Sequence, residues 1–441
     1  MTSGPLRTCQ LALLCGALAI AAPTAAVPAV SGALGMGPAL TQWFAAGYHL
    51  TSGPLQLGAG HLADRYGARR VLLASLTAFT GGSLLAATAP HGPGLLAARL
   101  VQGAGGSALS PVSLSLLLDL SRAEDEERRA VGAWVATAAT ASCVGPLLGG
   151  LLTSALGWRA VFGALALLAA VTAGCALALL PGRAPRRAAP DRRPDSVGIA
   201  LCTMTATTAL IALTAPVAGA TMPAVAATGA LLAVLLHHAR HRPHFALDSG
   251  LLRRPETRRA LLVLLVLFCA NSLFTFLTYF ELTRTHSLSP FRAALVTLPA
   301  VAPAVLTGRW AARRTRGPSD GPPLMRAGLL CVAAGLLTGG LGRGGPTPLW
   351  LIGVSCALVG CGLGLANGSA MTTVTRDRPR HAASRATATA TTFAMLGGAT
   401  GPGLAGALTT PVPHLPLLVT APATALAAVV LCVGGRRSVR G

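Results

Sequence analysis

Apolar stretches of roughly 18 to 25 residues recur from one end of this chain to the other. Each is about long enough to cross a ~30 Å hydrocarbon layer as a helix. Within such a layer every backbone N–H and C=O must be satisfied inside the protein, which leaves only helices and closed barrels. Barrel strands would read as alternating segments of about ten residues. These runs are continuous and rich in Leu, Ala, Val and Gly, so the sequence predicts an all-α integral membrane protein. Only 11% of residues are charged while 52% are hydrophobic, and the mean hydropathy of +0.62 excludes an ordinary soluble domain.

The apolar runs fall at 9–30, 40–59, 71–89, 94–119, 130–153, 159–180, 197–218, 221–239, 259–282, 290–311, 326–342, 349–373, 385–408 and 414–434, fourteen in all. The net charge of +22 has no soluble basic domain to sit in, so nucleic acid is not the expected partner. The chain contains no Lys, and its Arg residues cluster in every second connection. They stand around Arg65, Arg69 and Arg70; Arg122, Arg128 and Arg129; Arg183 to Arg193; Arg240 to Arg259; Arg313 to Arg326; Arg376 to Arg385; and Arg436, Arg437 and Arg440. The alternate connections carry few: Arg159, Arg284, Arg292 and Arg343. The positive-inside rule then places both termini in the cytoplasm, which requires an even number of crossings. A first helix that is retained, rather than cleaved as a signal peptide, keeps that count even. The ten cysteines lie almost entirely in apolar runs without C-x-x-C spacing, and read as small core residues.

One internal echo stands out. GPLLGGLLTS from Gly145 matches GPGLAGALTT from Gly401 at six of ten positions, an offset of 256 residues. Two related six-helix units with two helices inserted between them account for that separation, and parallel repeats of this kind are a transporter architecture. The expected organisation is residues 1–180, a basic linker region with two inserted helices at 181–258, and residues 259–441.

Three motifs identify a family. The segment GAGHLADRYGARR, from Gly58, resembles the signature between the second and third helices of the major facilitator superfamily, matched at Gly60, Leu62, Ala63, Asp64, Arg65, Gly67, Arg69 and Arg70, with Ala68 in place of a usual basic residue. Gly60 and Gly67 are expected to allow a tight turn and close helix approach, and Asp64 to pair with an Arg or a helix N-terminus. The resemblance implies a conformational latch. The fourth run carries Leu96, Arg99, Gln102 and Gly103, similar to the family's second motif. Arg99, Gly103, Gly106, Ser110 and Ser113 share one face at helical spacing, which either lines a cavity or packs on a neighbour; alternatively Arg99 snorkels to the interface. The fifth run, with Gly145, Pro146, Gly149 and Gly150 followed by Trp158, Arg159 and Phe162, resembles the motif of exporters within the superfamily. On physical grounds alone it is a packing seam with a proline bend.

The likeness is to fourteen-helix drug:proton antiporters, implying alternating access and export across the cytoplasmic membrane by a monomer that exchanges protons for a small molecule. The sequence departs from that pattern in one place. The acidic residue such proteins carry in the first helix falls here at about Ala19, ahead of Ala26, Val27 and Pro28. Glu281 and His49 are the alternative candidates for the proton, Glu281 being equally placed to anchor against Arg284. Thr24, Gln42, Tyr48, Gln102, Asn271, Tyr279 and Asn367 are the polar groups expected to meet a substrate. Such sparse polarity suits hydrophobic or cationic drug-like molecules. No cofactor or metal site is expected, no Walker loop is present, and neither HExxH nor GxSxG occurs, so an enzyme is excluded. Other readings are a sensor or scaffold with a transporter shell, and an uncoupled or importing facilitator.

Overall fold

The computed structural model describes residues 3–120, 124–181, 195–214, 218–241, 254–315, 317, 319–341, 347–376, 380–408 and 415–433. The described residues contain helices and no strand. In chain order these are α1 (Ser3–Ala33), α2 (Pro38–Tyr66), α3 (Ala68–Thr88), α4 (Gly92–Gly106), α5 (Leu109–Leu120), α6 (Glu124–Leu156), α7 (Arg159–Leu179), α8 (Ser196–Thr214) and α9 (Ala218–His241). They continue with α10 (Pro255–Phe280), α11 (Pro290–Thr297), α12 (Val301–Arg314), α13 (Gly321–Gly340), α14 (Leu349–Thr375), α15 (Arg380–Leu408) and α16 (Leu415–Val433). Each apolar run read from the sequence is mainly helical where it is described. The Arg-rich stretches 182–194 and 242–253 lie outside the described residues.

Two runs that read as single helices are broken. The fourth becomes α4 and α5, separated at Ser107 and Ala108. Pro111 has no N–H to offer the carbonyl of Ser107, and Ser107 instead donates its hydroxyl to the carbonyl of Ala104 at 2.7 Å. The shared face from Arg99 to Ser113 is therefore not continuous. The tenth run becomes α11, a short 3₁₀ turn (Leu298–Ala300) and α12, with Pro299 and Pro303 removing the backbone donors there. Beyond Phe280, α10 widens into a π turn (Glu281–Thr285).

Two cores result. The first is built on Leu72, Leu76, Phe79, Leu95, Leu109, Leu117 and Phe162 of α3, α4, α5 and α7, the second on Leu261, Leu264, Leu273, Leu329, Val332 and Leu336 of α10 and α13. The sequence echo lies at matching packing seams. A Cβ on Gly145 or Gly149 of α6 would collide with Ala21 or Ala22 of α1, and one on Gly397 or Gly401 of α15 would collide with the α10 backbone at Leu265 and Cys269. In lipid, where apolar burial between helices gains little, backbones this close supply the dispersion contact that holds helices together.

The halves meet along two hydrogen-bonded seams and where α1 packs on α10, with Ala25 in the second core and Phe276 against both cores. On one, α2 runs beside α15, with Gln56 bonded to Thr391, Thr392 Oγ1 donating to the Gly53 carbonyl at 2.9 Å, and Gly406 abutting Gln42. On the other, Gly150 of α6 rests on the backbone of Pro290 and Phe291, and the Phe291 N–H donates to Ser154 Oγ at 3.1 Å. Helices α8 and α9 lie over the first seam, with Ile199 against Gly58 and Leu210 against Gly403. Asp195 ties them together, capping the Gly198 N–H at 2.9 Å and bonding His238 Nε2 at 3.0 Å. Among the described residues, nine helices are long and apolar enough to cross a membrane. Large apolar side chains such as Leu156, Leu167 and Trp350 project outward, as a lipid-facing surface requires.

Candidate functional site

The signature segment is mostly helix rather than loop. α2 continues through Arg65 to Tyr66, and the whole turn is Gly67, at φ 90°. That backbone region suits glycine alone. Gly60 serves neither turn nor close approach: it lies inside α2 and nothing is within 4 Å of its missing Cβ. Asp64 is exposed and forms no hydrogen bond or ion pair among the described residues, so the expected partner is not engaged in this conformation. Arg65 lies over the Tyr66 ring, and Arg70 is exposed. Arg69 carries the structural contact. Its guanidinium donates to the carbonyls of Ala176 at 3.3 Å and Leu177 at 2.6 Å, satisfying the last turn of α7 where a cation also meets the helix dipole.

Arg99 is buried at 3% exposure and does not snorkel. Its Nη1 donates to the Ala19 carbonyl at 3.1 Å and to Gln102 Oε1 at 2.6 Å. The rings of Phe44, Tyr48 and Phe162 surround its Cζ at 5.7, 5.1 and 5.9 Å. Gln102 passes the network to Ser83 Oγ at 2.8 Å, and Ser83 donates to Phe79 O at 2.7 Å. Gly103 and Gly106 give α4 the room to lie against Tyr48. Tyr48 is itself buried, its hydroxyl 3.4 Å from the Gly16 carbonyl, so it packs the first core rather than facing a passage. Among the described residues no carboxylate pairs with Arg99, and its Nε has no partner.

The remaining candidates are dispersed. His49 lies in the α2–α15 seam, its Nδ1 3.2 Å from Met395 Sδ and its ring beside Gly398. Glu281 does not pair with Arg284, which stacks on Phe280 at 5.1 Å. It accepts the Thr347 N–H at 3.1 Å instead, while His286 Nε2 bonds the Thr347 carbonyl at 3.0 Å. Together they pin the segment before α14 to the π turn, an arrangement sequence reasoning missed although His286 follows Glu281 by five residues. Gln42, Gln102 and Tyr279 are buried, Tyr279 bonding Thr297 at 3.3 Å. Only Thr24, Asn271 and Asn367 of the expected polar set keep partial exposure. The Gly145, Pro146, Gly149 and Gly150 motif is a packing seam on both faces, toward α1 and toward α11. Beyond it, Arg159 donates to the Ala89 carbonyl at 3.1 Å and lies over Trp158 at 4.3 Å.

Apolar helices packed around two cores, with these motifs in place, point to a multi-pass membrane transporter. The family model described as Major Facilitator Superfamily matches residues 10–402, and the chain belongs to that family. It is 33% identical over 74% of its length to the methylenomycin A resistance protein of Streptomyces coelicolor, covering 69% of that protein. It is 30% identical over 87% of its length to the "Probable actinorhodin transporter" of the same organism, covering 68% of it. The fold also matches the crystal structure of the POT family transporter PepTSo, with a TM-score of 0.72 over 98% of this chain and 97% of that one, at 14% identity.

Proposed function

We propose that this protein exports small hydrophobic, drug-like compounds across the cytoplasmic membrane by alternating access. The observation carrying this reading is that two of the contacts between the halves are seams made of small side chains and a few hydrogen bonds, among relatives that include a resistance protein and a transporter. Seams of that kind can part and re-form without unfolding either core. The proposed organisation is fourteen crossings with both termini cytoplasmic: a bundle over 1–180, two inserted helices within 181–258, and a bundle over 259–441.

Asp64, exposed at the end of α2, would engage a partner in the opposite state, as a latch does. For coupling, His49 is the better proton candidate. It is the titratable group on the boundary between halves, and a proton on its ring would change its contact with Met395. Glu281 is committed to a backbone N–H at the end of α10. The test is efflux of a panel of fluorescent compounds from cells expressing the protein. Accumulation should fall several-fold relative to cells with Asp64→Asn, and His49→Gln should abolish dependence on the pH gradient. Equal accumulation with and without confirmed expression would refute export.

A further inference from the structure

We propose that His237 and His241, on the exposed face of the last turns of α9, form an open two-imidazole site for a divalent transition-metal ion of the Ni²⁺, Cu²⁺ and Zn²⁺ class.

Residues four apart in a helix lie on one face, one above the other. His237 and His241 have that spacing, both are exposed, and their ring centroids stand 4.2 Å apart with the planes inclined at 32°. Two nitrogens bound to one tetrahedral metal, each at about 2.1 Å, are ~3.4 Å from one another. Rings this close reach that separation by side-chain rotation alone. His241 is also held in the tautomer that a ligand needs. Its Nδ1 lies 2.8 Å from the His237 carbonyl, which can only accept. Nδ1 therefore carries the proton, and in the neutral ring Nε2 keeps its lone pair. Metal-binding imidazoles are commonly anchored in this way, through the nitrogen that does not touch the metal. No hydrogen bond commits the His237 ring among the described residues.

The histidine between them has a different task. His238 faces α8, where its Nε2 meets both carboxylate oxygens of Asp195 at 3.0 Å. That contact fixes the turn carrying the pair without using either of its rings. Among the described residues no group of three or more His, Cys, Asp and Glu side chains gathers, so the pair is an open chelate whose remaining positions are left to water. Mg²⁺ and Ca²⁺ require oxygen ligands that the pair does not supply. Imidazole nitrogen suits nickel, copper and zinc instead, and the C-terminal end of a helix favours a bound cation through its dipole. An ion held here bridges two successive turns of α9, and so stiffens the end of a helix pair that lies over the α2–α15 seam.

The test is calorimetric titration of Ni²⁺ into the purified full chain in detergent, prepared without a histidine affinity tag. The wild type should bind one equivalent saturably, and excess Mg²⁺ should not compete. His237→Asn and His241→Asn should each weaken binding at least about tenfold, because either change removes the chelate. His238→Asn should leave the affinity unchanged. The two ligand positions are exposed and leave both cores untouched, and size-exclusion profiles establish that each variant is folded. No saturable Ni²⁺ binding by the wild type, affinity unchanged in His237→Asn or in His241→Asn, or binding lost in folded His238→Asn would each overturn the proposal.

Discussion

The α3–α4 pair of the first half and the α13–α14 pair of the second occupy corresponding places in the repeat and both close through glycines, yet only the first buries a charge. The 256-residue offset carries Arg99 onto Ser355, buried and bonded to the Gly335 carbonyl. Around Ser355 the contact is made by glycines: Gly328 against Ala366, Gly335 against Val359, Gly362 against Gly328. The α3–α4 pair has the same kind of contact, Gly82 against Gln102 and Gly105 against Phe79, and adds to it a relay from Arg99 through Gln102 to Ser83. Close backbone approach suffices to join two helices in lipid. Burying a charge costs desolvation that glycine packing does not, and Arg99 offsets it through the Ala19 carbonyl, Gln102 and three aromatic rings.

The comparison breaks most severely where the two halves agree. Gly149→Leu and Gly401→Leu should each prevent accumulation of folded protein, because a Cβ at either position strikes backbone on the facing helix; detergent-solubilised yield and size-exclusion profile measure this. Arg99→Met comes next. It leaves the Ala19 carbonyl and Gln102 Oε1 without their donor, and should cost about 3 kcal/mol in detergent unfolding. Ser355→Ala, its counterpart, should cost about 1 kcal/mol. Glu281→Gln weakens the contact to Thr347 and should lower stability by about 1 kcal/mol while leaving transport direction intact. Gly60→Ala should fall within about 0.5 kcal/mol of the wild type, since open space surrounds its position.

The helices were legible because span length, hydropathy and Arg placement act locally and do not depend on neighbours. The packing seam at Gly145 and Gly149 was legible for a related reason: small residues one helical turn apart have few other uses in lipid. What the sequence concealed depends on side chains meeting across long separations. Nothing in the run around Glu281 predicts that Thr347 will arrive to take its carboxylate. Tyr48 reads as a polar group available to substrate, but the glycines of α4 allow it to be buried. Arg99 was visible as a costly residue, and Ala19 as the place where an acid was missing. That these two positions touch is a tertiary fact, and it turns two separate oddities into one charge centre. The break at Ser107 was foreseeable from Pro111, but the apolar run continued past it and hid the interruption.

Alternating access requires that the seam between α6 and α11 open during each cycle. Cysteines introduced together as Ser154→Cys and Phe291→Cys, where the Phe291 N–H now meets Ser154 Oγ at 3.1 Å, should cross-link readily and halt efflux. Reduction should restore it, and each single replacement with the native cysteines intact should transport normally. Efflux continuing unchanged through a fully cross-linked seam would contradict the rocking of the two halves on which the proposed function depends.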